Sequence, residues 1–384
     1  MGRFARLDPD FCPSKARRHT CGTDRVTRQP LYHLFSMRYN SLGQTGLFVS
    51  QLCLGTMTFG QSEGRYAAAS GVSQSEVNAM LRRAVDAGVN FIDTANVYAN
   101  GQAEEIVGRA FTQLGIDRKE IVLASKFEHA MGAGPNDSGG SRSHIIESVK
   151  ASLKRLGTDH IDLYQMHGWD PATPVEETLR ALDDLVRQGH VRYIGVSNWA
   201  AWQVSRALGI SERIQSARFQ SVQGYYSLVG RDLERELLPM VGYEKLGLLV
   251  YSPLAGGYLT GKYRESASGG RRTTIPFPPV DESRGSRVLT VMDGIAAAQG
   301  ASLEAIALAW LFGQPAVTSV IMGIKRLEQL EQNLKATELM LTEENLKQLA
   351  LASELVAEYP GWMLTQSSQA RQQLLDAGRL TQSH

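Results

Sequence analysis

Along the chain, short apolar runs typical of strands alternate with segments of helical periodicity. From residue 52 onward eight such runs occur, each ending in a polar or glycine-rich turn. Alternation of this kind predicts a parallel sheet, and eight repeats favour a closed (β/α)8 TIM barrel. An open Rossmann sheet would need GxGxxG after the first run, where the chain reads TFGQ (58–61). The predicted strands are LCLGTM (52–57), NFIDTA (90–95), IVLASK (121–126), IDLYQMH (161–167), VRYIGVSN (191–198), RFQSVQ (218–223), LGLLVYSP (246–253) and TSVIMG (318–323).

Two helix starts can be predicted between these strands. Ser73 with Glu76, and Thr173 with Glu176, have the spacing of a capping box, in which each side chain of the pair bonds the other residue's backbone N–H. Pro174 follows Thr173 at the first helical position, which proline favours. Apolar residues continue at helical spacing after both starts.

The N-terminal part of the chain has a different character. Residues 1–36 show no hydrophobic periodicity and hold seven basic and three acidic side chains, whereas residues 37–50 read as a β-hairpin. We expect residues 1–36 to be a disordered extension and residues 37–384 to form one domain. A basic targeting peptide is the alternative, which the three acidic side chains disfavour.

Composition excludes several classes of protein. With 43% hydrophobic and 21% charged residues, the 384-residue chain is typical of a soluble globular protein. Its longest nearly apolar window, residues 305–312, is shorter than the roughly 18 residues that a membrane span needs. Beyond residue 36 there are 33 basic and 36 acidic side chains, which does not suggest nucleic-acid binding. Cys12, Cys21 and Cys53 lack disulfide or zinc spacing, so we expect a reducing cytoplasm and no metal.

Polar side chains stand at the C-terminal ends of the predicted strands, the face on which barrel enzymes build their active sites. Two long connections, residues 128–141 and 264–284, leave from this same face. Singly, each polar residue has a structural interpretation, such as a helix cap or a hydrogen-bonded core histidine. Together they indicate a site that comprises Asp93, Tyr98, Lys126, His167, Ser197, Asn198, Gln223 and Tyr251.

From residue 37 to about residue 352 the sequence resembles the aldo-keto reductase superfamily, in particular bacterial-type NADP-dependent members. The motifs that carry the resemblance are LGTMTFG (54–60), GVNFIDTANVYANGQAEEIVGRA (88–110), ASK (124–126), YQMH (164–167), IGVSN (194–198), YSPLAGGYLTGKY (251–263) and GIKRLEQLEQN (323–333). The resemblance implies a (β/α)8 barrel with an N-terminal hairpin and a C-terminal extension. It also implies that Tyr98, Lys126, Asp93 and His167 form the catalytic tetrad.

The chemistry of carbonyl reduction is consistent with these residue types. Negative charge grows on the carbonyl oxygen, so a proton donor must stand beside it. Tyrosine, with an ordinary pKa of about 10, is a reluctant acid. We expect Lys126 to lower the pKa of Tyr98, Asp93 to hold the lysine charged, and a neutral His167 to donate a hydrogen bond to the carbonyl.

The resemblance further implies an NADPH/NADP+ site. Ser197, Asn198 and Gln223 would hold the nicotinamide carboxamide, Tyr251 would stack on the ring, and residues 252–262 would wrap the pyrophosphate. The full set of implied cofactor contacts is Gly55, Thr56, Met57, Asp93, Ser197, Asn198, Gln223, Tyr251, Ser252, Pro253, Leu254, Gly256, Leu259, Lys262, Gly323, Lys325, Gln329, Gln332 and Asn333.

The adenosine end of that site departs from the pattern. Met322 and Gln332 stand where many relatives have Pro and Glu, so the resemblance is weaker at the adenine contacts than at the catalytic residues. Lys325 and Arg326 are adjacent cations that suit a 2′-phosphate, which predicts NADPH over NADH. Aromatic residues beside the motifs are candidate substrate-pocket walls: Phe59, Phe127, Trp169 and Trp199.

The expected function is NADPH-dependent, reversible reduction of an aldehyde or ketone, with a small-molecule carbonyl compound as partner. A Schiff-base aldolase would account for Lys126 but leaves Tyr251 and the 323–333 motif without a role. A metal-dependent hydrolase is disfavoured because the histidines are scattered. A non-enzymatic alternative is a cofactor-binding, redox-sensing subunit bound to a channel, a role that some similar barrels have.

Overall fold

The computed structural model describes residues 37–264 and 271–364, together with positions 366, 369, 371, 373 and 374. The expectation for residues 1–36 lies outside this part of the chain. Within it, eight parallel strands close into a barrel in the order β10-β3-β4-β5-β6-β7-β8-β9. The strands are β3 (Leu52–Gly55), β4 (Phe91–Asp93), β5 (Val122–Phe127), β6 (Ile161–Met166), β7 (Val191–Ser197), β8 (Phe219–Tyr225), β9 (Gly247–Tyr251) and β10 (Val317–Gly323). The predicted (β/α)8 TIM barrel is confirmed, and so is each of its strands.

A two-stranded antiparallel hairpin precedes the barrel, as predicted, and comprises β1 (Tyr39–Ser41) and β2 (Phe48–Ser50). Its turn requires glycine at Gly43, where φ is +58° and a Cβ would collide with the carbonyl oxygen of Gln220. The hairpin therefore packs closely against the N-terminal ends of the barrel strands.

Helices between the strands cover the outside of the barrel. They are α1 (Gln74–Asp86), α2 (Gln102–Leu114), α3 (Arg142–Leu156), α4 (Val175–Arg187), α5 (Ala201–Ile214), α6 (Leu237–Glu244), α7 (Arg271–Thr274), α8 (Glu282–Gln299), α9 (Leu303–Phe312), α10 (Leu327–Lys335) and α11 (Glu343–Ala352). Short 3-10 helices lie at Gly64–Ala69, Tyr98–Gly101, Arg118–Glu120, Asp232–Glu234, Ala255–Thr260 and Ala336–Glu338.

Of the two predicted helix starts, one forms as expected and the other does not. Ser73 is the N-cap of α1, and its backbone N–H donates to Glu76 Oε2 at 2.8 Å, so this start is confirmed. The predicted capping box of Thr173 is wrong, because Pro174 is the N-cap of α4 and the Thr173 hydroxyl donates to Asp170 Oδ2 at 2.6 Å. The Glu176 carboxylate, which the predicted capping box would have placed on the Thr173 backbone N–H, instead accepts from Arg180 and Arg213.

The two long connections differ from each other. Residues 128–141 contain neither helix nor strand, as expected. The stretch 264–284 is not wholly irregular, because α7 and the start of α8 lie within it. After α11, Arg235 holds the C-terminal segment, donating from its guanidinium to the carbonyl oxygen of Val356 at 3.0 Å.

Side-chain alternation along the strands produces two cores. The larger one lies between the barrel and its helices, whereas the smaller one fills the barrel interior and includes Leu42 of the hairpin together with Cys53, Phe91 and Leu163. Successive strand residues point to opposite faces of the sheet. The inward-pointing residues are apolar in the barrel interior, and those at the C-terminal mouth are polar. No single helix in the described ranges is long and apolar enough to span a membrane, although the pair α8 and α9, bent by 98°, passes on length and composition.

Candidate active site

The C-terminal mouth of the barrel gathers the predicted polar residues. Asp93 is the last residue of β4, Lys126 lies near the end of β5, and His167 directly follows β6. Tyr98 begins a 3-10 helix five residues after Asp93, which returns its phenol toward the same mouth. Residues that are far apart in the sequence are therefore brought into one cluster.

Lys126 is at the centre of this cluster. Its side chain is fully buried, and its ammonium group donates to the Asp93 carboxylate, to the Thr94 carbonyl oxygen at 2.9 Å and to the Tyr98 hydroxyl at 3.2 Å. Burial by itself would lower the pKa of Lys126, but the negative charge of Asp93 and the contact with Tyr98 outweigh it, so the pKa is raised. The lysine is therefore a fixed cation in direct contact with a phenol.

Asp93 is held in turn by two buried amides. Its Oδ2 accepts hydrogen bonds from Gln165 Nε2 at 3.1 Å and from Gln223 Nε2 at 2.9 Å. Gln165 was not predicted as a site residue. It lies two positions before His167 on β6, so strand alternation alone would have placed both side chains on the inner face.

His167 lies beside the Tyr98 phenol, with ring centroids 5.8 Å apart in a T-shaped arrangement. Its burial, followed by the positive charge of Lys126 and by the neighbouring His129, holds the pKa of His167 well below the usual histidine value. The imidazole is therefore neutral at physiological pH and has one N–H to donate.

Tyr251 closes the cluster from the end of β9. Its hydroxyl donates to Asn198 Oδ1 at 2.9 Å, and Asn198 Nδ2 donates to the backbone carbonyl of His167 at 3.0 Å. Burial, and secondarily Tyr225 and Tyr98, raise the pKa of Tyr251 to about 12, so this phenol stays protonated. Asn198 has φ of +59°, in the region that asparagine tolerates better than most residues.

Around this cluster are features that fit a nicotinamide dinucleotide. The hydroxyls of Thr56 and Ser197 are buried and have no hydrogen-bond partner within the described ranges, so a ligand amide could use them. Gly256 and Gly257 have left-handed backbone, and a Cβ on Gly256 would collide with the carbonyl oxygen of Phe277. This glycine segment exposes backbone as a phosphate-binding loop does.

Comparison with known protein families agrees with this geometry, since the model of the aldo/keto reductase family matches residues 51–354. The chain belongs to the aldo/keto reductase family. It is 39% identical over 312 residues to a probable voltage-gated potassium channel subunit beta of Arabidopsis thaliana, covering 79% of this chain and 92% of the relative.

Other relatives in the family are named as oxidoreductases. The chain is 39% identical over 323 residues to the uncharacterized oxidoreductase YrpG of Bacillus subtilis, covering 82% of this chain and 95% of the relative. It is 30% identical over 346 residues to the versiconal hemiacetal acetate reductase of Aspergillus parasiticus, covering 85% and 99%. The protein is an oxidoreductase of the aldo/keto reductase family.

Side chains at the predicted adenosine end already form hydrogen bonds to other groups of the protein. Lys325 Nζ donates to the carbonyl oxygens of Ala68 at 2.7 Å and Ser70 at 3.0 Å. Gln329 Oε1 accepts the backbone N–H groups of Lys325 and Arg326, and so caps α10. Of the remaining predicted residues here, Arg326, Gln332 and Gly323 are exposed and Asn333 is buried.

The other predicted cofactor residues lie where their strands end. Gly55 pairs with Gly323 across β3 and β10, and Met57 follows it with a partly exposed side chain. In the segment after β9, Ser252, Leu254 and Gly256 are partly exposed, Pro253 and Leu259 are buried, and Lys262 is exposed. The predicted set therefore includes both accessible and buried residues.

Three of the four predicted pocket walls are core residues. Phe59 and Phe127 are fully buried, and Trp199 is almost so, with its Nε1 donating to the Gly168 carbonyl at 2.9 Å. Phe127 stacks on Tyr164 at 4.9 Å between ring centroids. Of the four, Trp169 alone has a partly exposed surface.

Proposed function

We propose that the protein reversibly reduces an aldehyde or ketone to the alcohol with NADPH as hydride donor. The observation that carries the proposal is the contact of Tyr98 OH with a fully buried, positively charged Lys126 that Asp93 anchors. A cation beside a phenol favours its ionised form, so the proton of Tyr98 becomes easier to give up.

When bound, NADPH supplies a hydride to the carbonyl carbon. Tyr98 donates its proton to the carbonyl oxygen, and Lys126 stabilises the resulting phenolate; the phenolate takes a proton back in the reverse oxidation. Neutral His167 donates a hydrogen bond to the same oxygen and orients the carbonyl. Ser197, Asn198 and Gln223 are proposed to hold the carboxamide, and of these Ser197 has the unpartnered buried hydroxyl in the described ranges.

The cofactor choice, the cellular location and the role of each residue are parts of this proposal. NADPH is favoured over NADH by the adjacent cations Lys325 and Arg326, as charge-assisted hydrogen bonds to a 2′-phosphate are worth roughly 1.5–3 kcal/mol each. A reducing cytoplasm stays the prediction for the location.

The experiment is a panel of aldehydes and ketones assayed by NADPH absorbance, with the wild type compared with Tyr98→Phe. The variant keeps the ring and loses only the donor, so its rate should fall by about 100- to 10,000-fold while the NADPH dissociation constant stays unchanged. Tyr225→Phe is the matched control, because it removes another phenol hydroxyl at the mouth, one bonded to Ser227. A Tyr98→Phe enzyme that kept more than half its rate with chemistry limiting would exclude Tyr98 as the acid.

A second candidate is a cofactor-binding subunit of a potassium channel, because relatives from Arabidopsis thaliana and Oryza sativa with 39% identity carry the name probable voltage-gated potassium channel subunit beta. Tight NADPH binding with negligible turnover across the whole panel would favour it. A Schiff-base aldolase is disfavoured, because the raised pKa of Lys126 keeps its amine charged and a charged amine is not a nucleophile.

A further inference from the structure

The ring of His167 lacks the support that usually orients an active-site histidine. Its backbone is fixed, since its N–H donates to the Phe127 carbonyl at 2.9 Å and its carbonyl accepts from Asn198. The ring atom Nδ1, however, is buried and bonds to no group in the described part of the chain. In most catalytic histidines a hydrogen bond to one ring nitrogen sets which nitrogen carries the proton. Packing against neighbouring side chains is the remaining way to orient this ring.

The ring of His129 packs directly against the ring of His167. The His129 and His167 rings stack with centroids 4.4 Å apart and planes inclined by 23°. His167 also meets Tyr98 in a T-shaped contact at 5.8 Å. Between a stacked ring and a perpendicular one, the imidazole of His167 has little freedom to rotate.

The chain places His129 there at some conformational cost. Glu128, the preceding residue, has φ of +107°, a left-handed value that a residue with a side chain adopts rarely. Its carboxylate Oε2 lies 2.7 Å from His129 Nδ1, although the contact is not aligned as a hydrogen bond, and the same carboxylate packs against Gly168. The Glu128 carbonyl accepts from Gly139 N at 2.7 Å, which fastens the turn.

We propose that His129 is a positioning residue, which holds the ring of His167 against Tyr98 by stacking, in the orientation that lets its N–H reach the substrate carbonyl. The inference rests on the proposed carbonyl reduction for its catalytic meaning, but the stacking itself can be tested without substrate. The side chain of His129 is 45% exposed, so it contributes little to the core, and its loss should leave the fold intact.

The test compares four proteins: wild type, His129→Ala, His129→Phe and the control His190→Ala, whose histidine precedes β7 at the opposite end of the barrel. The first readout is the ¹⁵N NMR spectrum of the imidazole nitrogens of the cofactor-free protein, with the His167 signals assigned from their absence in His167→Gln. We expect one set of sharp His167 signals, from a single ring orientation, in the wild type, in His129→Phe and in the control. In His129→Ala we expect these signals to broaden or average, because the ring samples more than one orientation.

The second readout is turnover of a carbonyl substrate with NADPH. Misplacing a catalytic group by about 1 Å can cost on the order of 100-fold, so kcat of His129→Ala should fall roughly 10- to 100-fold. His129→Phe, which restores a flat ring, should recover most of that loss, and NADPH affinity should be unchanged in both. A purely structural role would instead lower the melting temperature of both variants.

Two results would overturn the inference: His167 spectra that are the same in His129→Ala and the wild type, or a phenylalanine variant no better than alanine. If no protein in the set reduces any carbonyl compound, the proposed function fails while the NMR comparison still decides on the stacking. Should His129→Ala fold poorly, His129→Gln takes its place, because it keeps a polar side chain and removes the ring.

Discussion

Replacing Asp93 with asparagine tests the electrostatic centre of the site. The carboxylate accepts hydrogen bonds from Lys126, Gln165 and Gln223, and the Lys126 and Asp93 side chains are only 0% and 3% exposed. In Asp93→Asn one acceptor oxygen becomes an NH2 donor, which faces other donors. Removing one partner of a buried pair costs about 3–5 kcal/mol, so we expect a loss of that order in the free energy of unfolding at pH 7.

The pH dependence of this loss has a definite sign. In the wild type, burial opposes the charged form of Lys126, but Asp93 and Tyr98 outweigh it and raise the folded pKa. The lysine's contribution to stability is therefore present below the unfolded pKa of about 10.4 and disappears as pH rises through the folded value. Without the Asp93 charge burial dominates, and the folded pKa falls below the unfolded one. Stability of the variant then increases with pH between its two pKa values.

The assay is urea unfolding of both proteins at several pH values from about 7 to about 10, the range that approaches the ordinary lysine pKa. Asp293→Asn is the matched control, because it removes the exposed pair between Arg264 and Asp293, 2.7 Å apart, and should cost at most about 1 kcal/mol with no change of slope. The reasoning would be refuted if Asp93→Asn lost no more stability than this control and followed the wild-type pH dependence.

Further predictions concern a buried pair and the cofactor. Glu104 is fully buried and accepts from Arg155 Nε at 2.7 Å and from the Ser125 hydroxyl at 2.5 Å, so Glu104→Ala should cost roughly 3–5 kcal/mol in urea unfolding; a loss below about 1 kcal/mol would contradict it. Arg326→Ala should weaken NADPH binding about 10-fold or more while leaving NADH binding nearly unchanged, and Lys325→Ala should also weaken NADPH binding, both measured by fluorescence titration. Equal affinities for the two cofactors in the wild type would remove the basis of that prediction.

The strands, and the site residues at their C-terminal ends, could be predicted because they depend on local periodicity. Each predicted strand forms, and Asp93, Lys126 and His167 meet because the C-terminal ends of parallel barrel strands share one face. The same periodicity, applied more strictly, would have disfavoured Phe127 as a pocket wall. If Lys126 points into the mouth, Phe127 must point outward, where it packs on Tyr164.

Features of the loops could not be predicted, because they depend on backbone conformations and side-chain contacts that follow no sequence periodicity. The stacking of His129 on His167 requires the positive φ of Glu128, and no residue type at that position signals it. The start of α4 differs from the predicted one because the Glu176 carboxylate accepts from Arg180 and Arg213 instead of from the Thr173 backbone. Neither the stacking nor the helix start can be predicted from the hydrophobic periodicity of the chain.

Lys325 shows how such contacts change what a predicted binding residue can contribute. Spacing predicts that it lies near the adenosine end of the cofactor, yet its ammonium already donates to the carbonyls of Ala68 and Ser70, which are distant in the sequence. A 2′-phosphate must therefore share or displace these bonds, and the net gain is smaller than a bare ammonium would give. Arg326 is exposed, so its alanine variant isolates the electrostatic contribution. Lys325→Ala also releases the segment at residues 68–70, so a larger effect there than in Arg326→Ala would measure the cost of freeing it.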